Sequence, residues 1–200
     1  ARAALGIPSD ARVIGFVGRL TRDKGIVDLV EAFSRIEDEV LLLVGDFEPG
    51  DDLPSATRQR VENDARITHL PWTEELTDVY ASMDVLAFPS YREGLPNVPL
   101  EAQLCGVPVV GYAATGTVDA VHSTNRLVEP GNVDRLAACA TQVLVLPSPS
   151  TGKASEWVRK NFARERIWKD LVAAMRRPES ATHRRCGPTR IRSTGVSRPP

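Results

Sequence analysis

Cysteine is scarce in this sequence, with three in 200 residues, at positions 105, 139 and 186. That is too few and too scattered for a disulfide framework. Cys105 and Cys139 stand in apolar helical contexts and read as small buried hydrophobes, which suits a reducing cytoplasm. No uninterrupted run of 18 apolar residues occurs, so no segment reads as a membrane-spanning helix. The opening residues Ala1 to Gly6 lack the apolar core of a signal peptide, and a cytoplasmic protein is expected, at most peripheral to the inner face of the membrane. Histidine is also sparse: His69, His122 and His183 lie far apart without metal-ligand spacing, so no metal site is expected, and His122 reads as a surface or supporting residue. Neither Gly-x-Ser-x-Gly nor a P-loop is present.

The net charge of −1 conceals an asymmetry. Seven arginines stand against Glu179 alone between Arg176 and Pro200, leaving +6 there and −7 in the first 175 residues. An acidic body has no basic face for nucleic acid. The C-terminal stretch is rich in Pro, Ser, Thr and Arg and has few apolar residues to offset ordering entropy, so 178–200 reads as a basic disordered tail. Residues 1–177 read as one domain, since 42% hydrophobic content suffices for a single sizeable core.

Along that body, apolar strands alternate with helical periods, the pattern of an α/β doubly wound, Rossmann-like parallel sheet. Strands are expected at Val13–Val17, Val40–Val44, Arg66–Leu70, Asp84–Phe88, Val107–Tyr112 and Leu127–Val128. The helices expected between them are Gly25–Ile36, Ser55–Asn63, Glu74–Met83, one opened by Asn97 as N-cap, and Val133–Leu146. A single helical turn is expected near Val118, and a break at Ser148–Gly152. Two closing helices are expected at Ala154–Asn161 and Glu165–Arg177, and Trp157, Phe162, Ile167 and Trp168, in or beside them, stand at core-like spacing. In such a fold ligands bind beyond the C-terminal ends of the strands.

Two loops at those ends carry chemistry. In Gly18-Arg19-Leu20-Thr21-Arg22-Asp23-Lys24-Gly25, Gly18 permits close backbone approach and Arg19 offers a planar donor fork. Lys24 places a cation at a helix start, which makes sense if an anion binds there. In Tyr91-Arg92-Glu93-Gly94-Leu95-Pro96-Asn97-Val98-Pro99-Leu100-Glu101, the first helical turn has free amides for a phosphate, and Glu101 projects back toward the same crevice. Carboxylates such as these hold vicinal sugar hydroxyls well. Each loop alone also reads as a solvated charged turn.

Taken in order, Gly18-Arg19-Leu with Lys24-Gly25, Glu93-Gly94-Leu-Pro-Asn97 with Glu101-Ala102, and Gly106-Val-Pro-Val-Val110 resemble the family 4 retaining glycosyltransferases. The resemblance runs from about Val13 to Arg177. It implies the GT-B fold, two facing Rossmann-like domains, of which this chain would be the C-terminal, donor-binding half. It implies transfer of a sugar, expected from a UDP-sugar, to a glycan or lipid-linked acceptor with retention and without metal or other cofactor. By the resemblance Arg19 and Lys24 contact the donor diphosphate, Glu93 lies near the transferred sugar, and these three form the catalytic set. Gly18, Gly94, Leu95, Asn97 and Val98 line the donor, Glu101 holds the ribose, and Trp72 lies beside the base. Thr115-Gly116-Thr117-Val118-Asp119-Ala120-Val121 is similar to a Thr-Gly-Cys-Arg-Asp-Ala-Val stretch of enzymes that build surface glycans.

The chain departs from the family pattern at four places. Pro96 and Pro99 remove two amides from the phosphate segment, and Thr117-Val118 replaces Cys-Arg. Ser123-Thr-Asn-Arg126 stands where a Gly-x-x-Gly turn is usual, and the stretch after Arg177 does not resemble the family's closing helix. No Asp-x-Asp occurs, against the metal-bridged diphosphate of the other major glycosyltransferase fold, and no Gly-x-Gly-x-x-Gly follows the first strand, against an oxidoreductase. The alternatives are a non-catalytic nucleotide-sugar-binding module and another GT-B enzyme such as a nucleotide-sugar 2-epimerase. The short segment before Val13 leaves no room for a second Rossmann-like domain, so an N-terminal acceptor domain is expected as the missing partner and the isolated chain is expected not to transfer sugar. Apolar surface near Trp157 and Trp168 is expected where that domain would cover it.

Overall fold

A computed structural model of the chain describes residues 1–145 and 151–175. Six parallel strands form one sheet in the order β3-β2-β1-β4-β5-β6, a doubly wound arrangement whose connections reverse direction between β1 and β4. The strands are β1 (Val13–Val17), β2 (Val40–Val44), β3 (Ile67–Leu70), β4 (Val85–Phe88), β5 (Val109–Tyr112) and β6 (Arg126–Val128). The helices are α1 (Ile26–Phe33), α2 (Ser55–Asn63), α3 (Leu76–Ala81), α4 (Asn97–Leu104), α5 (Thr117–Ala120), α6 (Val133–Val145), α7 (Thr151–Phe162) and α8 (Arg164–Met175).

The nearly all-apolar strands follow from burial on both faces. In β1, Ile14 and Phe16 point into a core shared with Leu29, Val30 and Phe33 of α1 and Leu136 and Ala140 of α6. Val13 and Val17 point the other way, into a core with Val79 and Tyr80 of α3 and Ala102 of α4. The period of two along the strand thus feeds two separate cores. Register is continuous from Val13↔Val40 to Val17↔Val44 on one side of β1, with Ile14↔Val85 on the other.

Several boundaries move from the sequence expectation. The first helix stops at Phe33 because Ser34 turns its hydroxyl back onto the Glu31 carbonyl, 2.6 Å away, which competes with helix continuation. Pro108, which has no N–H, lies outside β5, although its carbonyl accepts from Leu86 N. Helix α7 begins at Thr151, so Gly152 lies in a first turn instead of a break, and positions 146–150 lie outside the described residues. Cys139 is buried as expected, but Cys105 is exposed, because it follows the last turn of α4.

The chain divides into two compact units, the first Ala1–Ala163 and the second beginning at Arg164 with α8. In α8, Ile167 and Trp168 are 48% and 54% exposed, in contrast to the core positions their spacing suggests and in line with the apolar surface expected near Trp168. Trp157 is half-buried and packs against His122 and Phe162, with ring centroids 5.5 and 5.2 Å apart. The expected tail, 178–200, lies outside the described residues. No helix among the described residues is long and apolar enough to cross a membrane.

Candidate active site

Three loops interlock where β1, β4 and β5 end, and glycines let them approach. Gly25 has φ 74, and a Cβ there would lie 2.1 Å from the Pro89 carbonyl oxygen, which seats the β1–α1 loop against the β4–α4 loop. Gly116 has φ 79, and a Cβ there would lie 2.2 Å from the Gly94 carbonyl oxygen and 2.5 Å from that of Glu93. The β5–α5 loop therefore presses on the segment that carries Glu93. Backbone bonds complete the seam: Tyr91 N donates to Asp23 O at 3.0 Å and Glu93 N to Thr115 O at 3.0 Å.

Lys24 and Glu93 meet in this seam, Nζ to Oε1 at 2.7 Å, with side chains only 21% and 14% exposed. Ser90 Oγ donates to the same oxygen at 2.8 Å. The cation at the start of α1 is therefore balanced by an ion pair, a stabilising reason for its position that the sequence does not reveal. Arg19 lies further out, 56% exposed; its guanidinium donates to Glu48 and lies 4.0 Å from Asp23. Burial disfavours the charged form of Asp23, but the Thr21 hydroxyl, Lys24 and Arg19 outweigh it and hold the carboxyl below its ordinary range.

Helix α4 begins at Asn97 and not after it. Pro96 is the N-cap in an extended conformation, and no side chain caps the helix, so Asn97 is not the cap that its residue type suggests. Among the described residues no partner takes the amides of Gly94, Leu95, Asn97 or Val98. Leu95 is 49% exposed, and a Cβ at Gly94 would meet nothing within 4 Å. Gly18, at the end of β1, has φ 145; its carbonyl comes within 2.0 Å of where a Cβ on Gly45 would stand.

Glu101 occupies a different part of α4. Its Oε2 accepts from Tyr80 Oη at 2.8 Å, inside a cleft of about 290 Å³ also lined by Glu74, Leu76, Thr77, Leu104 and Cys105. Burial and then the bond to Glu101 push the Tyr80 phenol well above its usual range, so it stays a donor. Trp72 is 51% exposed in the loop after β3 and does not line that cleft. The structure thus brings Lys24 and Glu93 into contact and keeps Arg19 on the same loop as Lys24, while Glu101 bonds to Tyr80 and not to that pair.

Four participants carry too little sequence signal to be singled out. Ser90 is a small polar residue in a loop, Glu48 is one acid among many in an acidic stretch, and Tyr80 reads as core. Gln103, 1% exposed, donates to Pro99 O and Ala120 O and accepts from His122 N and Asn125 Nδ2, tying α4 to residues 120–125. A surface hollow of about 550 Å³ lies elsewhere, along α6 beside Arg35. Its lining is largely apolar, and its charged members Arg35 and Asp134 pair with each other at 3.3 Å.

Comparison with known proteins gives the family. Residues 11–145 match the family model for glycosyl transferases group 1. The D-inositol 3-phosphate glycosyltransferase of Mycobacterium leprae is 33% identical over 184 residues, which cover 88% of this chain and 43% of that protein. The capsular polysaccharide biosynthesis glycosyltransferase CapM of Staphylococcus aureus is 28% identical over 172 residues, 82% of this chain and 45% of that protein. Among solved structures, Anabaena HepE in complex with UDP-glucose superposes with a TM-score of 0.76 at 25% identity, covering 87% of this chain and 50% of that one. The chain thus spans half or less of the length of each protein it matches.

Proposed function

The chain belongs to the group 1 glycosyl transferases, and from that premise we propose that it is the donor-binding, C-terminal half of a retaining enzyme of the GT-B type. The observation that carries this reading is the Lys24–Glu93 pair set below an uncapped α4 N-terminus. A nucleotide diphosphate laid across the strand ends would meet Lys24, Arg19 and the free amides of Gly94 to Val98, which together favour an anion. Gly94 supports the same reading: neither its φ nor its packing requires glycine, whereas close approach of a ligand does.

In the proposed reaction the bond from the anomeric carbon to the diphosphate oxygen breaks and a bond to the acceptor oxygen forms on the same face. The acceptor's proton passes to the departing diphosphate. Charge grows on the leaving group, and Arg19, Lys24 and the helix amides stand where that charge develops. In this reading they supply the stabilisation without a metal ion. Glu93 would orient the sugar, and Glu101, held by Tyr80, would take the ribose hydroxyls. HepE was crystallised with UDP-glucose, which favours a UDP-sugar as donor; the CapM relative, named for capsular polysaccharide biosynthesis, favours a glycan or lipid-linked acceptor and work at the cytoplasmic membrane face. An acceptor domain outside residues 1–200 would complete the cleft, so this chain alone should bind donor and transfer nothing.

Two substitutions test the site by calorimetry against UDP, GDP and ADP and their sugars. Glu101→Gln should weaken bare diphosphate and sugar nucleotide alike, since both carry the ribose. Glu93→Gln should weaken only the sugar nucleotide, because in this reading Glu93 meets the sugar and not the phosphates. Equal losses of bare diphosphate in both variants would refute the division of roles.

A further inference from the structure

The two oxygens of Glu93 are not equivalent. Oε1 receives both Lys24 Nζ at 2.7 Å and Ser90 Oγ at 2.8 Å. Oε2 has no hydrogen-bond partner among the described residues, and it is not one of the buried unpartnered atoms. Two donors on one oxygen therefore leave the other as the acceptor available to a ligand.

The two donors do different work. Lys24 is a point charge on a flexible four-carbon stem with three interchangeable N–H groups, so it can follow the carboxylate through many orientations; it attracts Glu93 but does not aim it. Ser90 cannot follow. Its hydroxyl turns about a single bond on a residue 1% exposed, one residue past Pro89. The neighbouring amide, Tyr91 N, is fixed to Asp23 O at 3.0 Å. The hydroxyl has one proton and two acceptors in reach, the Glu93 carboxylate at 2.8 Å and the Asp23 carbonyl at 3.4 Å. The shorter, charge-assisted bond takes the proton.

We propose that Ser90 is a positioning residue for Glu93: its hydroxyl pins Oε1 so that Oε2 is held out to accept a hydrogen bond from a sugar hydroxyl of the donor. This rests on the donor-site reading above and adds to it a residue that need not touch the ligand. A glutamate has three rotatable side-chain bonds, and fixing its head before the sugar arrives removes a cost that binding would otherwise bear.

The test uses the full chain and three probe pairs: UDP-glucose with UDP, GDP-mannose with GDP, and ADP-glucose with ADP. The pair that the parent binds most tightly is carried forward. Ser90→Ala should lower sugar-nucleotide affinity about tenfold, the value of one charge-assisted hydrogen bond, and leave bare diphosphate within about twofold. Ser90→Cys, similar in size but a poor donor, should show the same split. On a Glu93→Gln background, Ser90→Ala should change sugar-nucleotide affinity by less than about twofold, because its effect passes through the carboxylate. Equal losses for both members of the pair, or a tenfold loss that persists beside Glu93→Gln, would overturn the role of Ser90 while leaving the donor site standing. If the parent binds none of the pairs, the donor-site reading falls and Ser90 falls with it.

Discussion

Replacing Lys24 by Met should affect stability and ligand binding together. Its ammonium and the Glu93 carboxylate sit 2.7 Å apart with side chains 21% and 14% exposed. An exposed pair would be worth about 1 kcal/mol or less, and breaking a fully buried one costs about 3–5 kcal/mol. This pair lies between those limits, and a hydrogen bond between charged groups contributes about 1.5–3 kcal/mol, so Lys24→Met should cost roughly 2 kcal/mol. The penalty falls mainly on Glu93, left largely buried with only Ser90 as partner. Glu93→Gln alone should cost less, about 1 kcal/mol, since a lysine can turn its head to water. The double variant should lose less than the two single losses added, because no unpaired carboxylate then remains. Urea unfolding of the four proteins measures this coupling. Additive losses, or a Lys24→Met variant as stable as the parent, would refute the buried-pair argument. The same variant should bind UDP at least tenfold more weakly if Lys24 contacts the diphosphate.

Gln103→Leu removes an amide whose two donors and acceptor serve Pro99, Ala120, His122 and Asn125. Stranding those groups should cost about 3 kcal/mol or more in urea unfolding, and a loss under about 1 kcal/mol would mean that water replaces the amide. Gly116→Ala puts a methyl 2.2 Å from the Gly94 carbonyl at φ 79, so it should destabilise by at least 1–3 kcal/mol and weaken nucleotide binding through the displaced Glu93 segment. Unchanged stability would show that the seam yields easily. Nucleotide should quench tryptophan fluorescence in the parent and not in Trp72→Phe; quenching that survives assigns the signal to Trp157 or Trp168 and removes Trp72 from the base site.

Much of the fold was legible because buried parallel strands write themselves as apolar runs: Val13–Val17 and Val40–Val44 coincide with their expected limits. Helix ends were less legible. They depend on local competition, such as Ser34 turning onto Glu31, and on whether a residue like Asn97 caps a helix or enters it. The charged candidates Arg19, Lys24, Glu93 and Glu101 were visible by type and spacing, but their partners were not. Glu48, Ser90 and Tyr80 reach those residues from 29, 3 and 21 positions away in the chain, and only the folded loops decide which of many carboxylates and hydroxyls is within reach. Ile167 and Trp168 mark a further limit, since helical spacing shows that a face is apolar and says nothing of what covers it.

The most direct test of the account is amide NMR of the isotopically labelled chain titrated with UDP, GDP and ADP. The account predicts that at least one diphosphate binds and that its shifts concentrate at Gly18 to Gly25 and Ser90 to Val98, with smaller changes near Glu101. Shifts concentrated in the hollow along α6, around Arg35 and Thr141, or no binding by any of the three, would contradict it.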